Sequence, residues 1–151
     1  SKTVSWSIGK ANGNMSVSQE SLVMNLGETK TITVNVKDSN NLVIPSGTVN
    51  ITVGQDEPVP ATVNASGEAT INYEVPNDAS GTINFSATYV ENDNYQASTM
   101  ATAGVITIRK GVTIVVDSIK ANIGDEITLS GTVTDEDNEL VPEGTVNYEI
   151  E

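Results

Sequence analysis

Apolar and polar residues alternate in short runs along most of the chain. Between 67 and 95, GEATINYEVPNDASGTINFSATYVENDNY, two such runs are joined by a turn rich in Pro, Asn, Asp and Gly. Ala69, Ile71, Tyr73 and Val75 share one face of the first run, and Ile83, Phe85, Ala87 and Tyr89 one face of the second. Side chains alternate faces along a strand, so each run predicts a strand with one apolar and one polar side. The pair carries the chain's only Phe and is expected to centre the hydrophobic core.

The same period of two recurs elsewhere. Residues 3–8 place Val4, Trp6 and Ile8 on one face, and residues 15–24 read as a weaker, interrupted strand. Residues 28–37 turn Ile32, Val34 and Val36 inward, and residues 48–53 do the same with Val49, Ile51 and Val53. Residues 56–60 carry Pro58 and Pro60, which confine that stretch to an edge strand or a loop. A last strand is expected over 100–108. No window shows a helical period, so the prediction is an all-β sandwich with about seven short strands per domain.

An internal repeat sets the organisation. LGETKTITVNVKDSNNLVIPSGTVNITV at 26–53 matches IGDEITLSGTVTDEDNELVPEGTVNYEI at 123–150 without a gap. Gly27 aligns with Gly124, Asp38 with Asp135, Pro45 with Pro142 and Gly47 with Gly144. Residues 1–10 then read as the final strand of a preceding repeat or a lead-in strand, 11–110 as one complete domain, and 111–151 as the first strands of an incomplete second domain. The apolar positions Ile127, Leu129, Val133, Val146, Tyr148 and Ile150 of that last part lack any counterpart of 67–108 to cover them. The expected partners are neighbouring repeats, or another chain through strand exchange at 111–151.

Three stretches carry a resemblance. One is VxD…VPxGTVxxxV, present as Val36, Asp38, Pro45, Gly47, Thr48 and Val49, and again as Val133, Asp135, Pro142, Gly144, Thr145 and Val146. The others are SGxAT, Ser66 to Thr70, and ATYxxxDNYxAS, Ala87 to Ser98. With these the chain resembles the bacterial Ig-like domain repeats of adhesin-like surface proteins, most of all those of methanogenic archaea. Where family members often carry Gly-Asp after the first Tyr, this chain has Val90-Glu91-Asn92-Asp93. The resemblance implies an immunoglobulin-like sandwich in tandem, at the cell surface, with no shared catalytic residues. Tyr89, beside a corner loop, is placed to send its hydroxyl back to backbone as tyrosine corners do.

Charge and composition narrow the chemistry. The net charge is −13, with no His and no Cys. Such a surface repels phosphate backbones, which excludes nucleic acid as a partner, and no run is long enough to insert in a membrane. Nucleophilic catalysis lacks its usual base, and nothing around Lys30 or Lys37 replaces it, so no enzyme activity is expected. Lys30 and Lys37 also fall on the outward alternation, away from the buried setting an isopeptide link to Asn requires. Tyr73, Tyr89 and Tyr148 read as core, leaving Tyr95 and Trp6 as candidate sugar platforms, with packing the expected role of Trp6. Sequons at Asn14, Asn50, Asn64 and Asn84 are candidate glycosylation sites, though a chain with this much Asn, Ser and Thr contains about three by chance.

One turn offers metal chemistry. Asp135, Asp137 and Glu139 place carboxylates at alternate positions, as calcium loops do. The turn lacks the Gly and distal Glu of a helical calcium loop. Its internal counterpart, Asp38-Ser39-Asn40-Asn41-Leu42, has a single carboxylate, so the charges are not needed for the turn itself. A solvated acidic turn is the expectation, with calcium as the alternative and no other cofactor. The function expected is a non-enzymatic, extracellular stalk or spacer in adhesion. The alternatives are a glycan- or protein-binding Ig-like module, or an accessory domain of an extracellular hydrolase.

Overall fold

In the computed structural model, residues 2–5, 8–18 and 20–149 are described. The strands are β1 (Gly13–Val17), β2 (Ser21–Asn25), β3 (Thr29–Asp38), β4 (Thr48–Val53), β5 (Val59–Thr62), β6 (Glu68–Glu74), β7 (Thr82–Tyr89), β8 (Ser98–Thr99), β9 (Gly104–Arg109), β10 (Val112–Val116) and β11 (Gly131–Asp135). The described residues contain no helix. The chain falls into two compact units, Ser1–Arg109 (unit 1) and Lys110–Glu151 (unit 2).

Unit 1 is a two-sheet sandwich. One sheet runs β1-β3-β6, and the other β2-β9-β7-β4-β5 with β8 added at the end of β7. The alternation of β3 buries Ile32, Val34 and Val36, and that of β4 buries Val49, Ile51 and Val53. Ala69 and Ile71 join from β6, Phe85, Ala87 and Tyr89 from β7, and Ile106 and Ile108 from β9, in one cluster. Each fully buried Val, Ile or Phe contributes about 1.5–3 kcal/mol relative to exposure. No polar or charged residue is buried among the described residues.

The two strands expected at the centre do supply core, but not as neighbours in one sheet. β6 pairs antiparallel with β3, while β7 pairs with β4 and β9, so the two lie in opposite sheets. The linker is an arch. Val75 donates its N–H to Glu28 O at 3.0 Å and accepts from Gly27 N–H at 2.9 Å, which holds it to the β3 side. Pro76, which has no N–H, then ends the ladder.

The interrupted strand over 15–24 is in fact two strands in opposite sheets. β1 pairs antiparallel with β3, and β2 pairs in parallel with β9. Met15 is buried from β1, but Leu22 and Met24 from β2. This shift from odd to even positions needs a break, and Ser18 marks its start by donating both N–H and Oγ–H to Thr33 O, at 3.1 and 3.0 Å. β5 lies at the edge of its sheet with Pro60 in it, as prolines allow. The last expected strand, over 100–108, starts later, as β9 at Gly104, and the short β8 precedes it.

At the N-terminus the expected strand over 3–8 does not form among the described residues, where Val4 and Ile8 are exposed. Trp6 lies outside the described residues. Among the described residues of unit 2 only β10 and β11 form, as an antiparallel pair. The counterparts of the rest of β3 and of β4, residues 126–130 and 145–149, are not strands, and no described residue of unit 2 is buried. A strand of the sandwich needs a second sheet on which to bury its apolar face, and unit 2 has none. Ile150 lies outside the described residues.

Candidate functional site

The turn carrying the calcium candidates is built by backbone, not by its charges. Asp135 Oδ1 accepts the N–H groups of Asp137 and Glu139, both at 3.0 Å, and Asn138 adopts φ 61°. Asp38 does the same with Asn40 and Leu42, at 2.8 and 2.9 Å, and Asn41 adopts φ 66°. Asn tolerates the left-handed region better than most residues, so the Asn at this place in both copies is the local cause of the turn.

Charge is then balanced from within unit 2. Lys110 Nζ donates to Asp137 Oδ2 at 2.6 Å and to Asp135 Oδ2 at 3.3 Å. Glu136 Oε1 accepts the Gly111 N–H at 2.8 Å. The Glu139 N–H, followed by Lys110 and the Asp137 N–H, holds the Asp135 carboxyl below its ordinary value. Asp137, then Asp135, raises the Lys110 ammonium. Among the described residues no three acidic, His or Cys groups converge as a metal set. Of the three calcium candidates, Asp135 and Asp137 are thus brought together on an ammonium, while Glu139 contributes its backbone to the turn. Lys110 went unnoticed in the sequence because it stands 25 residues from its nearer partner.

A second constellation lies at the corner after β7. Tyr89 is fully buried; its hydroxyl donates to Ser46 O at 2.9 Å and accepts from Asn92 Nδ2 at 2.7 Å. Burial raises the Tyr89 phenol above its ordinary value, opposed by the Asn92 hydrogen bond. Asn92 Oδ1 in turn accepts the N–H groups of Asn94 and Tyr95, at 2.9 Å each. Asn92 therefore orders the loop at the place where the sequence departs from the family habit. Tyr95 is not an exposed platform: it is half-buried and packs edge-on against Tyr89, with ring centroids 6.2 Å apart. Lys10 forms an ion pair with Glu91 on the same loop.

The remaining candidates scatter over the surface. Asn14, Asn64 and Asn84 are exposed and Asn50 is half-buried on the outer face of β4. Asn64 Oδ1 also accepts the N–H groups of Ser66 and Glu68, at 2.9 and 3.0 Å, so that side chain shapes the turn into β6. Tyr73 is half-buried and packs against the core, whereas Tyr148 is exposed and is not the core residue its alternation suggested. Lys30 donates to Val23 O at 2.6 Å and pairs with Glu28 at 3.1 Å, both at the surface. These groups do not converge on one cleft.

Two facing sheets, a parallel pairing of β2 with the last strand β9 and a tyrosine corner define unit 1 as an immunoglobulin-like sandwich. The chain belongs to the bacterial Ig-like domain (group 3) family, which matches residues 10–108. No curated protein matches its sequence. Domains 4 and 5 of the S-layer protein SbsC are similar in structure at 12% identity and TM-score 0.37, over 62% of this chain and 50% of that one. Escherichia coli alpha-2-macroglobulin is similar at 13% identity and TM-score 0.41, over 82% of this chain and 8% of that one. The CARDB domain of the PF1109 protein from Pyrococcus furiosus, solved with di-metal ions, is similar at 12% identity and TM-score 0.38, over 70% of this chain and 97% of that one.

Proposed function

We propose that the chain is a segment of a non-enzymatic, extracellular cell-surface protein, in which tandem Ig-like domains serve as a stalk or spacer in adhesion. The observation that carries this reading is the repeat itself: the β1–β3 ladder of unit 1 recurs in register as β10–β11 of unit 2. Such repetition adds length and no chemistry. Family membership supports it.

The topology of unit 1 suits a load-bearing role. β2 and β9 stand near the two ends of the domain and pair in parallel over five residues, from Ser21↔Val105 to Asn25↔Arg109. Tension applied through the chain ends pulls these strands in opposite directions along their length. The ladder bonds are then loaded together, in shear, and not one after another.

Single-molecule pulling of the chain by its termini tests the reading. Unit 1 should resist as one event that releases about 330 Å of chain. Thr107→Pro, which removes a β9 N–H directed at β2 from an exposed position, should lower the peak force. Extension without a force peak would sink the load-bearing reading, and saturable binding on a glycan array would favour the binding-module alternative.

A further inference from the structure

The chain has a single Asn-Gly pair, Asn12–Gly13, where β1 begins. Asn12 is exposed, and β1 is an edge strand of its sheet. Gly13 stands opposite Asp38, but the two exchange no ladder hydrogen bonds. Ser39 N–H goes instead to Asn12 O at 3.1 Å, and Asp38 N–H to Leu42 O at 2.8 Å. The Gly13 N–H therefore has no partner on β3. One backbone hydrogen bond, that of Ser39, ties Asn12 to the sheet.

The fold does not require the glycine. A Cβ at Gly13 would meet Ser98 Cβ at 3.6 Å and Ile44 Cδ1 at 3.7 Å, which are ordinary contacts, and its φ is not in the left-handed region. At Gly47, by contrast, φ is 118° and a Cβ would lie 2.2 Å from the Tyr89 hydroxyl. In the second copy of the repeat the same place is a valine: Val112 pairs with Asp135 as Gly13 pairs with Asp38. What glycine changes at 13 is access. Without a side chain there, the backbone nitrogen after Asn12 is unshielded and its peptide turns freely.

Two anchors flank the pair, so the length of chain between them matters. On the N-terminal side Ala11 N–H donates to Asn94 O and Ala11 O accepts from Gln96 N–H, both at 2.9 Å. Lys10 adds its ion pair to Glu91. On the C-terminal side Ser98 Oγ donates to Gly13 O at 2.7 Å, and β1 continues in register along β3 to Val17↔Val34 with Met15 buried. Residue 12 is the only span between the two.

We infer that Asn12–Gly13 is a site of spontaneous deamidation, and that its isoaspartyl product releases the residues before 12 from unit 1. The Gly13 backbone nitrogen, on losing its proton, attacks Asn12 Cγ. The new N–Cγ bond closes a succinimide, and the side-chain nitrogen leaves as ammonia. Water then opens the ring at either carbonyl, leaving an aspartyl or an isoaspartyl residue. Water is consumed, ammonia is released and no oxidant is needed. Only the Ser39 bond has to open first, so local fraying of an edge strand suffices. The isoaspartyl form routes the main chain through Cβ and lengthens it by a carbon between the two anchors. Both cannot then be kept. The β1–β3 ladder and Met15 hold the Gly13 side, so the Ala11 side yields. The inference holds whether or not the protein is a stalk.

The test incubates the full chain at mildly alkaline pH and maps it by peptide mass spectrometry, with isoaspartyl methyltransferase labelling to separate the two products. Residue 12 should convert ahead of every other Asn, and faster as pH rises, because the attacking nitrogen must lose its proton. Gly13→Ala should slow conversion by at least an order of magnitude while unit 1 melts as before. In isoaspartyl chains the Gln96 N–H should exchange about tenfold faster, with β3 and β6 unchanged. Asn12→Asp carries the same charge on a main chain of normal length and should leave Gln96 protected. An intact Asn12 after other Asn residues have converted, or a rate unchanged by Gly13→Ala, would overturn the site. Equal protection of Gln96 in isoaspartyl and unmodified chains, or equal loss in Asn12→Asp, would overturn the release.

Discussion

Gly104 offers a substitution whose sign separates packing from propensity. It opens β9 directly opposite Phe85 of β7. The Phe85 ring lies over it: a Cβ at Gly104 would sit 2.1 Å from Cζ, 2.4 Å from Cε1 and 2.6 Å from Cε2. Phe85 is 1% exposed, so the ring has no solvent to retreat into. Strand propensity alone says that Gly104→Ala stabilises, by about 0.5–1 kcal/mol. Overpacking a well-filled core costs about 1–3 kcal/mol, and three ring atoms inside contact distance place this case at the upper end. The net is a loss of about 2 kcal/mol, or roughly 8–16 °C in Tm for a domain of this size. Phe85→Leu alone should cost about 1–2 kcal/mol through the space it opens. Because the added methyl fills that space, the double variant should be no less stable than Phe85→Leu, a coupling of about 2 kcal/mol. Urea unfolding followed by far-ultraviolet circular dichroism measures all four corners. Gly104→Ala that is neutral or stabilising, or costs that add within about 0.5 kcal/mol, would refute the steric argument.

Other sites give further checks. Gly47→Ala should cost about 3 kcal/mol or more, since φ 118° and the Tyr89 hydroxyl both oppose a Cβ, whereas Gly144→Ala should leave the melting of unit 1 unchanged. Equal effects on the thermal melt would contradict this. The Asn25 N–H, at 2.7 Å, and then Lys30 hold the Glu28 carboxyl below its ordinary value. Its folded pKa is depressed, so its stabilisation is present above the unfolded pKa and lost as pH falls through the folded one. Glu28→Gln should flatten the acid-side decline of Tm, and an unaltered decline would count against it. Calcium at millimolar levels should neither shift the melt nor give saturable heat, because Lys110 already occupies the Asp135–Asp137 pair. A calorimetric isotherm lost in Asp137→Asn would show otherwise.

Period-two alternation was enough to place most strands of unit 1 and to pick out Ile32, Val34, Val36, Val49, Ile51, Phe85, Ala87 and Tyr89 as core. What alternation does not encode is the identity of the neighbouring strand. The arch after Val75 sends β7 to the opposite sheet, and that depends on Gly27 and Glu28, far away in sequence. The change of sheet between β1 and β2 was legible in the shift from Met15 to Leu22 and Met24, though not in the run of residues as a whole. At the candidate sites, the turn geometry around Asp135 could be read from its internal copy. Its ammonium partner could not, since ion pairs across 25 residues leave no local pattern.

The two units also show one sequence pattern with and without an opposing sheet. What unit 2 retains is local or nearly so: the Asp-Asn turn with its left-handed Asn, the Asn122–Asp125 turn closed at 2.7 Å, and a five-residue ladder. What it lacks is burial, together with the strands corresponding to the rest of β3 and to β4. Yet 126–130 and 145–149 keep the apolar alternation that makes 29–33 and 48–52 strand in unit 1. Alternation therefore specifies which face a residue will present, and the opposing sheet decides whether the segment becomes a strand. The turns of this repeat are closed by local hydrogen bonds that both copies share. The core, and with it any mechanical strength, arrives only with the later half of the repeat.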